Sequence, residues 1–177
     1  MSYWFSCFLM YSFLGYLLEK LFARAARSER QVRKCFLLLP LCPVYGAAMV
    51  AVLLLTPPAL PFWVRVVTGA VICTTVEYLV HVFYDKVFQT QFWDYSDLSG
   101  NIGGRVCPHF ALIWGILSAA AVDAVHPLLA PAALAAPPYA LFLLWMLLAL
   151  DCVLTSTLLL RRHDTELLSL AALLTQR

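Results

Sequence analysis

Two carboxylates stand inside long apolar runs: Glu77 in VVTGAVICTTVEYLVHVFYD and Asp151 in YALFLLWMLLALDCVLTSTLLL. An ionised acid deep in a bilayer is costly unless it is paired, protonated or wet, so each acid marks a place where a proton, a cation or a polar partner is handled. On a helix, residues three, four, seven and eight apart share a face. From Glu77 that face takes in Cys73, Thr74, His81, Tyr84 and Asp85, a polar stripe that runs toward the end of the segment. Glu19 shares a face with Ser12, Gly15 and Tyr16, about one turn from the end of its own run, where it can also snorkel to water. Such stripes are expected to face other helices or a water-filled cavity rather than lipid.

The connection DKVFQTQFWDYSDLSGNIGGR, residues 85–105, carries the densest polar chemistry. Phe88, Phe92, Trp93 and Tyr95 suit a membrane interface. Trp93-Asp94-Tyr95-Ser96 and Asn101-Ile102-Gly103-Gly104-Arg105 add acceptors, hydroxyls, an amide and a guanidinium, more than an aromatic belt needs. The next helix opens on Arg105, Cys107 and His109, and free N–H groups at a helix start attract anions. Arg105 adds a permanent charge with five donors. Its expected use is internal, as partner to Glu77, Glu19 or Asp94. The candidate substrate- or ion-binding residues are therefore Glu19, Glu77, His81, Trp93, Asp94, Tyr95, Asn101, Arg105 and His109. Asp151 has Thr155 one turn away, and Asp123 with His126 reads as an interfacial pair. His81 and His109 lie on different helices and lack the three or four ligands of a zinc site, so no metal and no cofactor is expected. GxxxxGK[ST], HExxH and GxSxG are all absent from the sequence, so an ATP-driven process would need a separate ATPase subunit.

The elements that must position these residues are membrane helices. The 177 residues are 63% hydrophobic and only 12% charged, with a mean hydropathy of +0.83. A spanning helix needs ~20 apolar residues, and five stretches come close: 3–22, 35–55, 64–84, 106–125 and 139–160. Pro40 and Pro43 disturb the start of the second. The proline-rich stretches at 56–63 and 126–138 read as turns. The expectation is an all-α polytopic membrane protein, one transmembrane domain over 1–177 with a bundle of five transmembrane helices.

Of the twelve Lys and Arg residues, five spans leave only Arg65 on one side; Lys20, Arg24, Arg27, Arg30, Arg33, Lys34, Lys86, Arg105, Arg161, Arg162 and Arg177 share the other. The positive-inside rule makes that side cytoplasmic, with the N-terminus outside and the C-terminus inside. The short basic first loop suits anionic headgroups of the lipid bilayer, and no nucleic acid is expected as a partner. Basic residues follow the first apolar run rather than precede it, so that segment is expected to be retained as a span. Six cysteines without a CxxC pair read as small buried residues. The tail RRHDTELLSLAALLTQR has helical spacing and is expected to extend the fifth helix or lie along the inner surface.

Five motifs carry a resemblance: Tyr11-Ser12-Phe13-Leu14-Gly15-Tyr16-Leu17-Leu18-Glu19, Pro40-Leu41-Cys42-Pro43-Val44-Tyr45-Gly46, Glu77-Tyr78-Leu79, Trp93-Asp94-Tyr95-Ser96, and Asn101 through Cys107. In this order they resemble small integral membrane proteins labelled ABC-transporter permeases of the type IV, CmpB-like kind. The resemblance covers roughly the first 120 of the 177 residues. The chain departs from it at Cys35 and Leu39, where glycines are expected, and at Gly103, where a polar residue is expected. The resemblance implies a multi-pass protein of the bacterial cytoplasmic (inner) membrane. It also implies a transport component whose polar site opens to the cytoplasmic side. Five short helices are few for a gated pathway, so a homo-oligomer or a partner transporter subunit is expected. Two alternatives stay open: a membrane-embedded enzyme acting on a lipid or isoprenoid, and a non-catalytic assembly subunit.

Overall fold

A computed structural model describes residues 2–25, 35–57 and 59–162. The readings of the basic first loop (Arg27, Arg30, Arg33 and Lys34) and of the tail beyond 162 lie outside these residues. The described chain is helical: α1 (Ser2–Ala25), α2 (Pro43–Leu55), α3 (Phe62–Phe83), α4 (Pro108–Ala120), α5 (His126–Ala135) and α6 (Pro138–Arg162). A π turn, Tyr84–Phe88, prolongs α3, and another, Ala121–Val125, joins α4 to α5 without a break. Four rods of 24, 27, 28 and 24 residues are long and apolar enough to cross a membrane. Large side chains such as Trp63, Leu128 and Phe142 point outward, as a lipid-facing surface requires.

Proline sets the helix starts. Pro43, Pro108 and Pro127 each fall in a first turn, where a missing N–H costs nothing. This corrects two expectations. The stretch 126–138 is not a turn, because Pro127 opens a helix that continues to Ala135. The second span is not a helix from 35 to 55; α2 has 13 residues, and 35–42 is an irregular strap leading into it.

Irregular backbone at membrane depth is tolerated only when its polar groups are satisfied by protein. Asp151 on α6 does this for the strap. Its Oδ1 accepts the Leu38 N–H at 3.1 Å, and its Oδ2 accepts the Leu39 N–H at 2.8 Å. The Thr155 hydroxyl donates to the same carboxylate at 3.2 Å, and the Cys42 N–H reaches the Ser12 carbonyl at 2.9 Å. Leu37 is fully buried, as is Leu159. Phe36 packs on the rings of Tyr84, Phe88 and Phe92 at the end of α3. A Cys35–Cys42 disulfide closes the strap, where free thiols were expected; Cys7, Cys73, Cys107 and Cys152 are free.

Small residues let the helices approach. Gly15 of α1 lies against the Tyr45 ring of α2, and Gly46 lies against Ser12 and Phe8. Gly69 of α3 meets Ser118, and Gly115 of α4 meets Val66. α1, α2, α3, the continuous α4–α5 rod and α6 alternate in direction. One end gathers the C-termini of α1, α3 and α6 with the strap, and with them Lys20, Arg24, Lys86, Arg105 and Arg161. Arg65 lies at the opposite end, beside Asp123. The expected Asp123–His126 pair does not form there. Arg65 forks onto Asp123, with Nη2–Oδ2 at 2.8 Å, and His126 Nε2 instead meets the Tyr3 hydroxyl at 3.0 Å. A permanent guanidinium bound at two points is a stronger partner for a carboxylate than an imidazole.

Candidate functional site

The stripe on α3 faces the bundle interior. Cys73, Glu77, His81 and Tyr84 are all buried. Glu77, 7% exposed, is held from two directions. The Tyr95 hydroxyl, on the loop between α3 and α4, donates to its Oε1 at 2.9 Å. The Trp114 indole N–H, on α4, donates to its Oε2 at 3.1 Å. Tyr95 stacks on Phe110 at 4.7 Å between centroids, and Phe110 stacks on Trp114 at 5.9 Å. The edge of Tyr45 meets Trp114 at 5.6 Å, and the Tyr45 hydroxyl donates to Glu19 Oε1 at 2.6 Å. Glu19 and Glu77 thus belong to one cluster of two carboxylates and four aromatic rings.

No guanidinium or ammonium reaches these two acids among the described residues. The ion pairs there are Arg65–Asp123 and Arg105–Asp85. Arg105 Nη2 lies 3.0 Å from Asp85 Oδ2, and its guanidinium sits 5.8 Å from the Tyr78 ring centre. The expectation that Arg105 pairs with Glu77, Glu19 or Asp94 is therefore corrected. Asp85 ends the same stripe near the basic end, and Glu77 and Glu19 are already occupied by neutral donors.

The remaining candidates build the loop that carries Tyr95. Trp93 fastens it twice. Its indole N–H donates to the Arg105 carbonyl at 2.9 Å, and its own carbonyl meets His81 Nε2 at 3.1 Å. A carbonyl can only accept, so Nε2 carries the hydrogen in that contact. Asp94 Oδ1 accepts the Ser96 hydroxyl at 2.6 Å and the Ser96 N–H at 2.9 Å, an Asx-type turn. The Ser96 hydroxyl, then its N–H, holds the Asp94 carboxyl below the usual carboxylate range. Burial first and Glu77 second push the Tyr95 phenol up, so it stays a donor.

Asn101 crosslinks the turn. It donates to the Ser96 and Leu98 carbonyls at 3.1 and 2.7 Å and accepts the Gly104 N–H at 2.9 Å. Gly104, at φ +70°, is required twice over. Its conformation is left-handed, and a Cβ there would come within 2.6 Å of Asp94 Oδ1. Gly103, where the family resemblance leads one to expect a polar residue, also has positive φ, +57°, which suits glycine. His109 is exposed and meets the edge of Phe110, so the structure does not bring it to either carboxylate.

Trp114 is the residue that the sequence reading missed, and Tyr45 was seen only within a motif. A tryptophan inside an apolar helix has an N–H that must find a partner, and that is the signal that points to Trp114.

No curated protein and no solved structure matches the chain. A family model described as "Putative ABC-transporter type IV" matches residues 6–156, so the chain belongs to the CmpB-like family to which the motif order pointed.

Proposed function

We propose that this protein is a membrane-embedded component of a transport system, in which Glu77, with Glu19 beside it, receives a proton or the cationic group of a substrate. The observation that carries this reading is a buried carboxylate that, among the described residues, is bound by neutral side-chain donors. Tyr95 and Trp114 satisfy both of its oxygens without cancelling its charge. A cation arriving at Glu77 supplies the charge that those donors do not. The route runs from the basic end, which the positive-inside rule makes cytoplasmic. Tyr95 stands between that end and Glu77, so its hydroxyl must yield for a cation to bind. Trp93, Asp94, Asn101 and Arg105 set the loop that places Tyr95. The family and the apolar rods support the transport reading. A separate ATPase, if energy comes from ATP, and a second copy or partner permease complete the system.

The test is reconstitution of wild type and Glu77→Gln in sealed vesicles. Labelled alkali and organic cations are followed alongside an entrapped pH dye. Glu77→Gln is expected to abolish the movement that wild type supports. Equal movement by a normally folded variant removes Glu77 from the mechanism.

One observation favours a second reading, that of an assembly subunit. Glu77, His81, Trp93, Asp94, Asn101 and Arg105 each have an internal partner, as interhelical fastening requires. Stoichiometric partners on purification, with no movement of solute by the chain alone, would select it.

A further inference from the structure

The strap and α6 enclose a groove away from Glu77. Asp151 pins Leu38 and Leu39 against α6, and a gap lies beside this contact, toward the end of that helix. The gap of about 290 Å³ is lined by Leu38, Leu154, Thr157, Leu158 and Arg161. Leu154, Thr157, Leu158 and Arg161 follow the i, i+3, i+4, i+7 spacing of a single helix face. The groove is therefore graded along its length. Leucines line the part nearer the membrane interior, and a guanidinium stands at the basic end. The Thr155 hydroxyl is committed to Asp151. Arg161 takes part in neither ion pair of the described residues.

We propose that this groove is a binding site for an anionic glycerophospholipid of the surrounding bilayer. Its acyl chain lies along Leu38, Leu154 and Leu158, and its phosphate reaches Arg161. At the ~30 Å³ a small group occupies in a liquid, the gap takes on the order of ten methylene-sized groups, a substantial part of one acyl chain. Three features favour a lipid over a soluble ligand. The groove lies along a helix long and apolar enough to cross a membrane, its walls are mostly apolar, and its charge sits toward the basic end. Arginine supplies planar, paired donors suited to phosphate oxygens. The proposal does not depend on the transport reading of Glu77.

The test uses the full chain in mild detergent and native mass spectrometry. Phosphatidylglycerol and phosphatidylcholine of identical acyl chains are titrated separately. The expected result is one tightly retained phosphatidylglycerol, favoured over phosphatidylcholine by roughly fivefold, the effect of one cation near an anionic surface. Arg161→Gln, an exposed position where folding is safe, should erase the preference. Leu158→Trp, which fills the apolar part, should lower retention of both lipids. Equal retention of the two lipids by wild type overturns the proposal, and so does an unchanged preference in Arg161→Gln. A groove closed by a second copy, seen as a dimer that excludes lipid, overturns it too. If Leu158→Trp does not fold, the Arg161→Gln comparison decides alone.

Discussion

Tyr95→Phe tests the local logic of the site most directly. The ring can stay where it is, stacked on Phe110 at 4.7 Å, so the change removes little besides the hydroxyl. What is lost is one donor at 2.9 Å to Glu77 Oε1, while Trp114 still holds Oε2 at 3.1 Å. A hydrogen bond to a charged group contributes about 1.5–3 kcal/mol in a soluble protein. Inside membranes, measured interhelical bonds average ~0.6 kcal/mol and reach ~1.7, because the unfolded chain in lipid also finds partners. Tyr95 sits in a loop rather than on a spanning helix, and Glu77 is well buried. The upper part of the membrane range therefore applies, a coupling of about 1–1.7 kcal/mol. The assay is a double-mutant cycle of Tyr95→Phe and Glu77→Gln, read as unfolding free energy in mixed micelles by circular dichroism. The glutamine keeps the shape of the side chain and can still accept from Tyr95 through its carbonyl oxygen, so the cycle reads the part of the bond that depends on the carboxylate charge, and the figure above is its upper bound. A parallel cycle with Trp114→Phe should give a smaller coupling, because that bond is longer. Additive single effects in the Tyr95 cycle would refute the view that this hydroxyl latches Glu77.

Asp151→Leu should destabilise by about 2–4 kcal/mol, since two half-buried amides lose their acceptor while the burial of a carboxylate is relieved; Asp151→Asn should fall between it and wild type, measured by thermal unfolding in detergent. Gly46→Val should cost about 1–3 kcal/mol in the same measurement, because a Cβ there would sit 2.5 Å from the Phe8 carbonyl oxygen. Arg105→Lys should weaken its partly exposed pair with Asp85 by no more than ~1 kcal/mol, seen as faster amide exchange in the 94–104 loop rather than as global unfolding. The same loop should respond to acid. The Asp94 carboxyl is held low in the folded chain, so its contribution is full above the ordinary carboxylate value of ~3.9 and is lost as pH falls through the lower folded value. Ser96→Ala should reduce that acid-dependent loosening but not abolish it, because the backbone N–H at 96 still donates to Asp94; amide exchange is followed across pH 5 to about pH 2, in the window Asp94 sets.

The stripe on α3 was legible because helical periodicity is a local property: Cys73, Glu77 and His81 share a face by spacing alone, and all three are buried. Pro40 and Pro43 announced a disturbance at the start of the second span. How long the irregular stretch runs was not legible, since it is stabilised by a carboxylate 112 and 113 residues away. The partner of Arg105 was a choice among acids that only distance could make. In the sequence Asp85 is the polar end of a stripe, and nothing local marks it as the mate of a charge 20 residues on. The Cys35–Cys42 bond was missed for a related reason, because only the folded strap brings the two ends of that stretch together.

The two anomalous acids now separate on the nature of their donors. Asp151 accepts two backbone N–H groups, which cannot leave without unravelling the strap, so its carboxylate is committed to holding 36–40 in place. Among the described residues Glu77 accepts from side chains, and a phenol or an indole can swing away by rotating about its own χ angles while the backbone stays put. One of those side chains belongs to a loop fastened by Trp93 and Asn101 at the basic end, so the loop can transmit a change at that end to the carboxylate. Burial alone would rank the two acids together, with Asp151 5% exposed and Glu77 7%. Replaceable donors suit Glu77 to the cation-receiving role proposed for it, whereas the backbone donors on Asp151 suit that acid to holding the strap.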